Sequence, residues 1–169
     1  MSTCACKTPF PDYPTILEWS PIMWKILHGF SLKSGKPVSM LFLEDEKMRW
    51  YLMLKGLPDV IVCKDCREHL IAYMKDHPVE AVRTMKTSDL REFLTNYFYE
   101  LHNWVNKRLG KEEFNKDLLE STYKDVNLRE ELKKIKKPIE TAILLSGVKI
   151  ISWNKWYGYA LMLLTIYGC

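Results

Sequence analysis

Two cysteines separated by two residues, Cys63-Lys-Asp-Cys66, are the arrangement most suited to chemistry in this chain. If they open a helix, both sulfurs fall on one turn within disulfide reach. The unpaired N–H groups at a helix start also favour a thiolate. That suits an attacking thiol and a second cysteine that resolves or passes electrons on. Zinc is the competing chemistry, because His69 and His77 follow on the same helical side. Structural zinc sites usually pair one CxxC with a second doublet elsewhere. His69 and His77 are also too far apart on a continuous helix for four ligands to converge. A zinc-stabilised helical interaction module therefore stands as the alternative reading. A thioredoxin-type site would need a βαβ context, and no such pattern surrounds the motif.

A second constellation is HNWVNKRLGK, from His102 to Lys111. His102, Asn103 and Asn106 are three or four positions apart and share a helix face. Such a cluster can stack against and hydrogen-bond a planar heterocycle, while Arg108 and Lys111 near the helix end reach for phosphates. A solvated polar face with a basic last turn is the plainer explanation. Trp24 and His28, one turn apart, could flank the same ring system; on their own such residues are more often a core tryptophan and a satisfied histidine.

The elements that must position these residues read as helices throughout. Ser20 and Pro21 form a helix start, a cap followed by proline at the first helical position. Met23, Ile26, Leu27 and Phe30 then make an apolar stripe ending near Gly35 and Pro37. Ser39 caps a second helix, stopped by Gly56 and Pro58. A third begins at the CxxC and runs to about His77. Thr87 or Ser88 caps a long fourth helix with the stripe Leu90, Leu94, Tyr97, Leu101 and Val105, ending at Gly110. A shorter fifth spans about residues 113–125. Four antiparallel helices with short links make a bundle, a fold that builds cofactor sites from facing side chains.

The expected organisation is an N-terminal arm over residues 1–18 carrying Cys4 and Cys6, a core domain over 19–126, and an apolar helical extension over 127–169. The charge-free run from Trp156 to Cys169 is shorter than the roughly 20 residues a membrane-spanning helix needs. The extension is read as packing on the bundle or on a partner, with membrane contact through 139–169 as the alternative.

Composition excludes several classes. Hydrophobic residues make up 47% and charged residues 27%, as in an ordinary globular protein with a buried core. No Gly-x-Gly-x-x-Gly or P-loop pattern is present. The net charge is +4, and Lys133, Lys134, Lys136 and Lys137 form the one basic cluster. This is read as a solvated helix face, so no nucleic-acid partner is expected. The first residues lack the apolar core of a secretory signal, which favours a cytoplasmic setting. There, the close-spaced cysteines (a CxC, a CxxC and a terminal thiol at Cys169) suggest redox or metal chemistry before a structural disulfide framework.

Taken together, WxxLH, CxxC and HNxVNxxLGK, in this order and at these separations, resemble the Erv/ALR sulfhydryl oxidases. The short forms from large cytoplasmic DNA viruses are especially similar, which would put the chain in host cytoplasm or a virion. The resemblance covers about residues 18–125 and implies an all-α four-helix bundle with a short fifth helix and bound FAD. It implies that dithiols in proteins or thioredoxin-like substrates are oxidised and that O2 is reduced to H2O2. Cys66 would be the thiolate against the flavin and Cys63 the sulfur that exchanges with substrate. Trp24 and His28 would line the flavin; His102, Asn103 and Asn106 would hold the adenosine side. Arg108 and Lys111 would serve the pyrophosphate, Tyr123 the adenine, and Val105 and Leu109 would join the cofactor-binding set. Cys4 and Cys6 would be a shuttle pair, and homodimerisation through the first two helices is expected. The chain departs from the family pattern in having Ile61 and Val62 where Tyr-Pro often precedes the CxxC. It also carries Met74 and Met85 around His77-Pro78, where cellular members carry a structural disulfide.

Overall fold

Thr15 sets the start of the first helix. The Glu18 carboxylate accepts from its backbone N–H at 2.7 Å and its hydroxyl at 2.9 Å, a capping-box arrangement. In this computed structural model, which describes residues 9–169, α1 spans Ile16–Lys33. It therefore begins before the expected Ser20-Pro21 start, and Pro21 lies inside it. The missing proline N–H leaves the Leu17 carbonyl without its helical donor. Leu17 is 77% exposed, so water can take that place. Tyr13 and Pro14 are buried as well, and the lead is packed from Tyr13 onward rather than loose to residue 18.

Ser39 caps as expected, but through a 3-10 turn, Met40–Phe42, that runs directly into α2, Leu43–Val60. Gly56 and Pro58 do not stop α2. Pro58 sits in its last turn, and Gly56 lies 3.7 Å short of Trp156 for an added Cβ, an ordinary contact. Helix α3, Lys64–Asp76, starts at the CxxC, and α4, Thr87–Arg108, is the longest. Gly110 follows it with φ +65°, the left-handed turn that suits glycine. The expected fifth helix is shorter: a 3-10 turn at Lys116–Leu118 and then α5, Leu119–Tyr123.

The extension forms α6, Leu128–Leu144, and α7, Ile150–Tyr167. Helix α6 packs along α1 and α7 along α2, while α4 packs on the inner side of α1. Gly29 permits the first approach, since an added Cβ would stand 2.9 Å from Leu128. The α2–α7 seam buries Trp50, Leu54, Trp156 and Leu163. It also carries a polar chain: Trp50 Nε1 donates to the Tyr167 hydroxyl at 2.7 Å, which donates to Glu46 Oε1 at 2.6 Å. Glu46 Oε1 accepts from the Gly35 N–H at 2.7 Å. The fold is all-α, with no strand among the described residues. Among them no helix is long and apolar enough to cross a membrane. The first two helices, through which pairing of two chains was expected, are covered along these faces by the chain's own α6 and α7.

Candidate functional site

The CxxC sits where α2 hands over to α3. Cys63 is the N-cap residue, and its Sγ accepts from the Cys66 backbone N–H at 3.2 Å. The sulfur thus takes the place of a capping oxygen, among the orphan N–H groups that favour negative charge. Cys63 is 8% exposed; Cys66, one turn on, is half-buried.

Cys66 stands on the wall of a cavity of about 340 Å³ between α1, α3 and α4. Its walls are apolar and aromatic, with Trp19, Trp24, Leu101, Trp104 and Val105 prominent. Asp65, His69 and Arg108 supply the polar groups. Arg108 Nη2 lies 2.6 Å from His69 Nε2, and its guanidinium stacks 4.9 Å over the Trp104 ring. Guanidinium nitrogens only donate, so His69 accepts through Nε2 and carries its proton on Nδ1.

Beside the cavity is a packed array of rings. Trp24 stacks on His102 at 4.1 Å between centroids, with 8° between planes. Phe114 lies parallel to His102 at 5.9 Å, and Tyr123 stacks on His28 at 4.5 Å. The two imidazoles meet through His28 Nε2 and His102 Nδ1 at 3.0 Å. Burial, then the neighbouring His102, drives the His28 pKa down to about 3. Burial, then the charge of Lys111, drives that of His102 down to about 4. Both rings are therefore neutral near pH 7, one donating and the other accepting. Asn103 spends its amide on the following loop: it accepts from the Phe114 N–H at 2.7 Å and donates to the Phe114 carbonyl at 3.1 Å.

Cys63 opens on a different cleft, of about 560 Å³, on the far side of the CxxC turn. Its walls come from Phe10 and Tyr13, from Arg67 on α3, and from the turn between α6 and α7. Ile16 and Asp65 border both spaces. The dithiol thus bridges an aromatic, largely apolar cavity and a more polar cleft.

Of the residues singled out in the sequence, Trp24, Cys66, Val105, Arg108 and Leu109 line the cavity. His28, His102 and Tyr123 gather in the ring array. Asn103 pins the loop instead of facing the cavity, Asn106 receives the Lys111 N–H on its carbonyl, and Lys111 is exposed. Cys4 and Cys6 lie outside the described residues. Sequence reasoning missed Trp19 and Trp104. Trp19 shares the four-residue stripe with Met23 and Leu27, but an assumed start at Ser20 left it outside the helix. Trp104 sat inside the motif without a role.

The residues present fit a planar, partly polar cofactor. The cavity is within the size range of small-molecule sites and is mostly apolar. Trp19, on the cavity wall, has its Nε1 buried without a hydrogen-bond partner, a polar atom that a heterocycle could satisfy. Metal binding has less support. Among the described residues no three His, Cys, Asp or Glu side chains are grouped to hold an ion. His69 is engaged by Arg108, and His77 stacks on Tyr73 at 4.0 Å.

Residues 21–124, well over half of the chain, match the family described as Erv1 / Alr, and the chain belongs to that family. It is 26% identical over 93 residues to 347L of Invertebrate iridescent virus 6, named as an FAD-linked sulfhydryl oxidase; the match covers 55% of this chain and 80% of that one. It is 27% identical over 94 residues to R368 of Acanthamoeba polyphaga mimivirus, which bears the same description, covering 56% of this chain and 60% of that one. No solved structure gives a significant match. The Tyr13 lead, α6 and α7 all lie outside the family match.

Proposed function

We propose that this protein is an FAD-dependent thiol oxidase that makes disulfides in protein dithiols, in the cytoplasm of an infected cell or in a virion. The observation that carries the reading is the position of the CxxC between two spaces of different character. Cys66 faces an aromatic cavity suited to a flavin ring, and Cys63 faces a cleft lined by Lys64, Asp65 and Arg67, suited to a polar substrate segment.

In this reading a substrate thiolate attacks Cys63 Sγ of the Cys63–Cys66 disulfide. That S–S bond breaks, and its electron pair leaves on Cys66 Sγ. The second substrate thiolate then attacks the substrate sulfur of the mixed disulfide. The substrate leaves as a disulfide, and the electron pair of the broken bond stays on Cys63 Sγ. Cys63 and Cys66 then re-form their disulfide, giving up two electrons and the two thiol protons; a flavin bound beside Cys66 would supply the acceptor that carries them to O2 as H2O2.

The chain's own residues supply position and environment. The helix start steadies negative charge on sulfur. Trp19, Trp24 and Trp104 would hold the ring system and exclude water. Neutral His28 and His102, with Tyr123, would take the adenosine side, and Arg108 and Lys111 the pyrophosphate. Asn103 serves this set indirectly, by fixing the Phe114 loop. Cys4 and Cys6 would act as a shuttle. Cys6 is three residues ahead of Pro9, which borders the Cys63 cleft. Three residues span at most about 11 Å, a reach compatible with that role.

The test is direct. Purified protein should be yellow, absorbing near ~450 nm as oxidised flavin does, and should consume O2 and release H2O2 on addition of dithiothreitol. A colourless protein with stoichiometric zinc and no oxidase activity would replace this reading with that of a zinc-stabilised module.

A further inference from the structure

Two residues, Ile61 and Val62, connect α2 to Cys63, and both are buried. Their carbonyls take no part in either helix. Side chains from elsewhere satisfy each one: Arg67 Nη2 donates to the Ile61 carbonyl at 2.8 Å, and the Tyr13 hydroxyl donates to the Val62 carbonyl at 2.7 Å. The same Arg67 Nη2 donates to the Gly147 carbonyl, in the α6–α7 turn, at 2.6 Å. The loop closes on itself, because Gly147 rests against Tyr13 and any side chain there would overlap the Tyr13 hydroxyl.

The turn is itself well fixed. The Gly147 N–H donates back to the Ala142 carbonyl at 2.8 Å, and Ser146 holds a left-handed φ of 61°. Tyr13 and Gly147 both lie outside the segment that matches the family, whereas Arg67 lies within it.

We propose that Arg67 is a positioning residue for thiol exchange at Cys63, and that the C-terminal extension acts on the dithiol through it. This rests on the reading of Cys63 and Cys66 as the redox pair. Disulfide exchange needs the incoming sulfur to approach a sulfur held in one place, and small displacements are costly in rate. The brace ties the two residues before Cys63 to the N-terminal lead on one side and to the α6–α7 turn on the other. Tyr13, Arg67 and Gly147 also form the wall of the cleft through which substrate arrives. Arg67 holds its positive charge on the Ile61 carbonyl, two residues before Cys63, so a thiolate at Cys63 forms near a fixed cation. Both hydrogen bonds leave one nitrogen, Nη2, at the far end of the rigid guanidinium plane, a position that the shorter lysine side chain with its flexible stem does not hold in the same way.

The experiment compares wild type, Arg67→Lys, Arg67→Gln, Tyr13→Phe and Cys63→Ser as full-length flavoproteins. Flavin content and denaturant midpoint identify folded protein. The rate of anaerobic reduction by dithiothreitol and the reduction potential of the Cys63–Cys66 pair are then measured. Arg67→Lys, folded and yellow, is expected to be reduced about tenfold more slowly, as misplacement of a reacting group predicts. Arg67→Gln should show the same loss and also move the pH profile of Cys63 alkylation upward, which Arg67→Lys should not. If Arg67→Lys does not fold, Tyr13→Phe, which removes one hydroxyl, carries the test with a smaller loss in the same direction. Folded, yellow variants with wild-type reduction rates and potential would overturn the proposal, even if they are less stable. An active Cys63→Ser would instead overturn the assignment of the redox pair, so the two failures are distinguishable.

Discussion

His28 and His102, 74 positions apart in sequence, meet ring to ring at 3.0 Å between their nitrogens. His28 has no exposed surface, and both pKa values are pushed down, to about 3 and about 4. Neither ring can take a proton without charging a buried site. In the unfolded chain both titrate at about 6.5. Below that value the unfolded state binds more protons than the folded one, so stability falls as pH falls.

The consequence for pH is specific. Stability should be level above about pH 7 and decline through the range from about 6.5 toward 4, with a slope of up to about 1.4 kcal/mol per pH unit for each histidine. Chemical denaturation at a series of pH values measures it. His28→Phe should flatten the slope; an unchanged slope would show that the pair does not titrate as described.

The dithiol assignment predicts that Cys63→Ser and Cys66→Ser each abolish turnover while the protein stays yellow. Replacing Cys4 and Cys6 together should spare dithiothreitol oxidation and slow oxidation of a reduced protein. Oxygen-electrode rates with the two substrates separate these outcomes. Equal loss on both would remove the shuttle from the account.

The cavity assignment predicts that Trp104→Ala loses flavin, because it removes both a wall and the platform under Arg108. The lost stacking is worth about 1 kcal/mol or more, roughly tenfold in affinity. Trp19→Phe keeps an aromatic ring but deletes the pyrrole half of the indole, and with it the buried Nε1 donor that lacks a partner. Calorimetric titration of the apoproteins with FAD should show weaker binding for both; unchanged affinity in Trp19→Phe would exclude a role for that N–H.

The α2–α7 seam predicts a stability effect away from the site. Tyr167→Phe removes the hydroxyl that links Trp50 Nε1 to Glu46, leaving a buried donor unsatisfied. A loss of about 1–3 kcal/mol is expected, read as a lower denaturant midpoint with flavin content unchanged. Cutting the chain before α7 should do more, exposing the α2 surface around Trp50 and promoting self-association measurable by light scattering.

Local chemistry made much of this legible. The CxxC at a helix start, the length of α4 and the positive-φ glycine after it follow from capping, periodicity and the conformational freedom of glycine. The start of α1 was misread because Pro21 imitates a first-turn proline, whereas the Thr15–Glu18 pairing fixes the true start. Pro58 misled in the same way near the end of α2, where one lost hydrogen bond is cheap. The seating of α6 on α1 and α7 on α2, and the grip of Arg67 on Gly147, are contacts between distant segments that no local pattern encodes. Asn103 showed the opposite lesson: a polar residue in the right motif serves the loop at Phe114.

The central claim is that electrons pass from the Cys63–Cys66 dithiol into a flavin held beside Cys66. Anaerobic mixing of the yellow protein with dithiothreitol, followed by stopped-flow absorbance of the flavin, tests it most directly. Rapid bleaching is expected in wild type and little or none in Cys66→Ser, with equal flavin content. Bleaching of Cys66→Ser at the wild-type rate would contradict it.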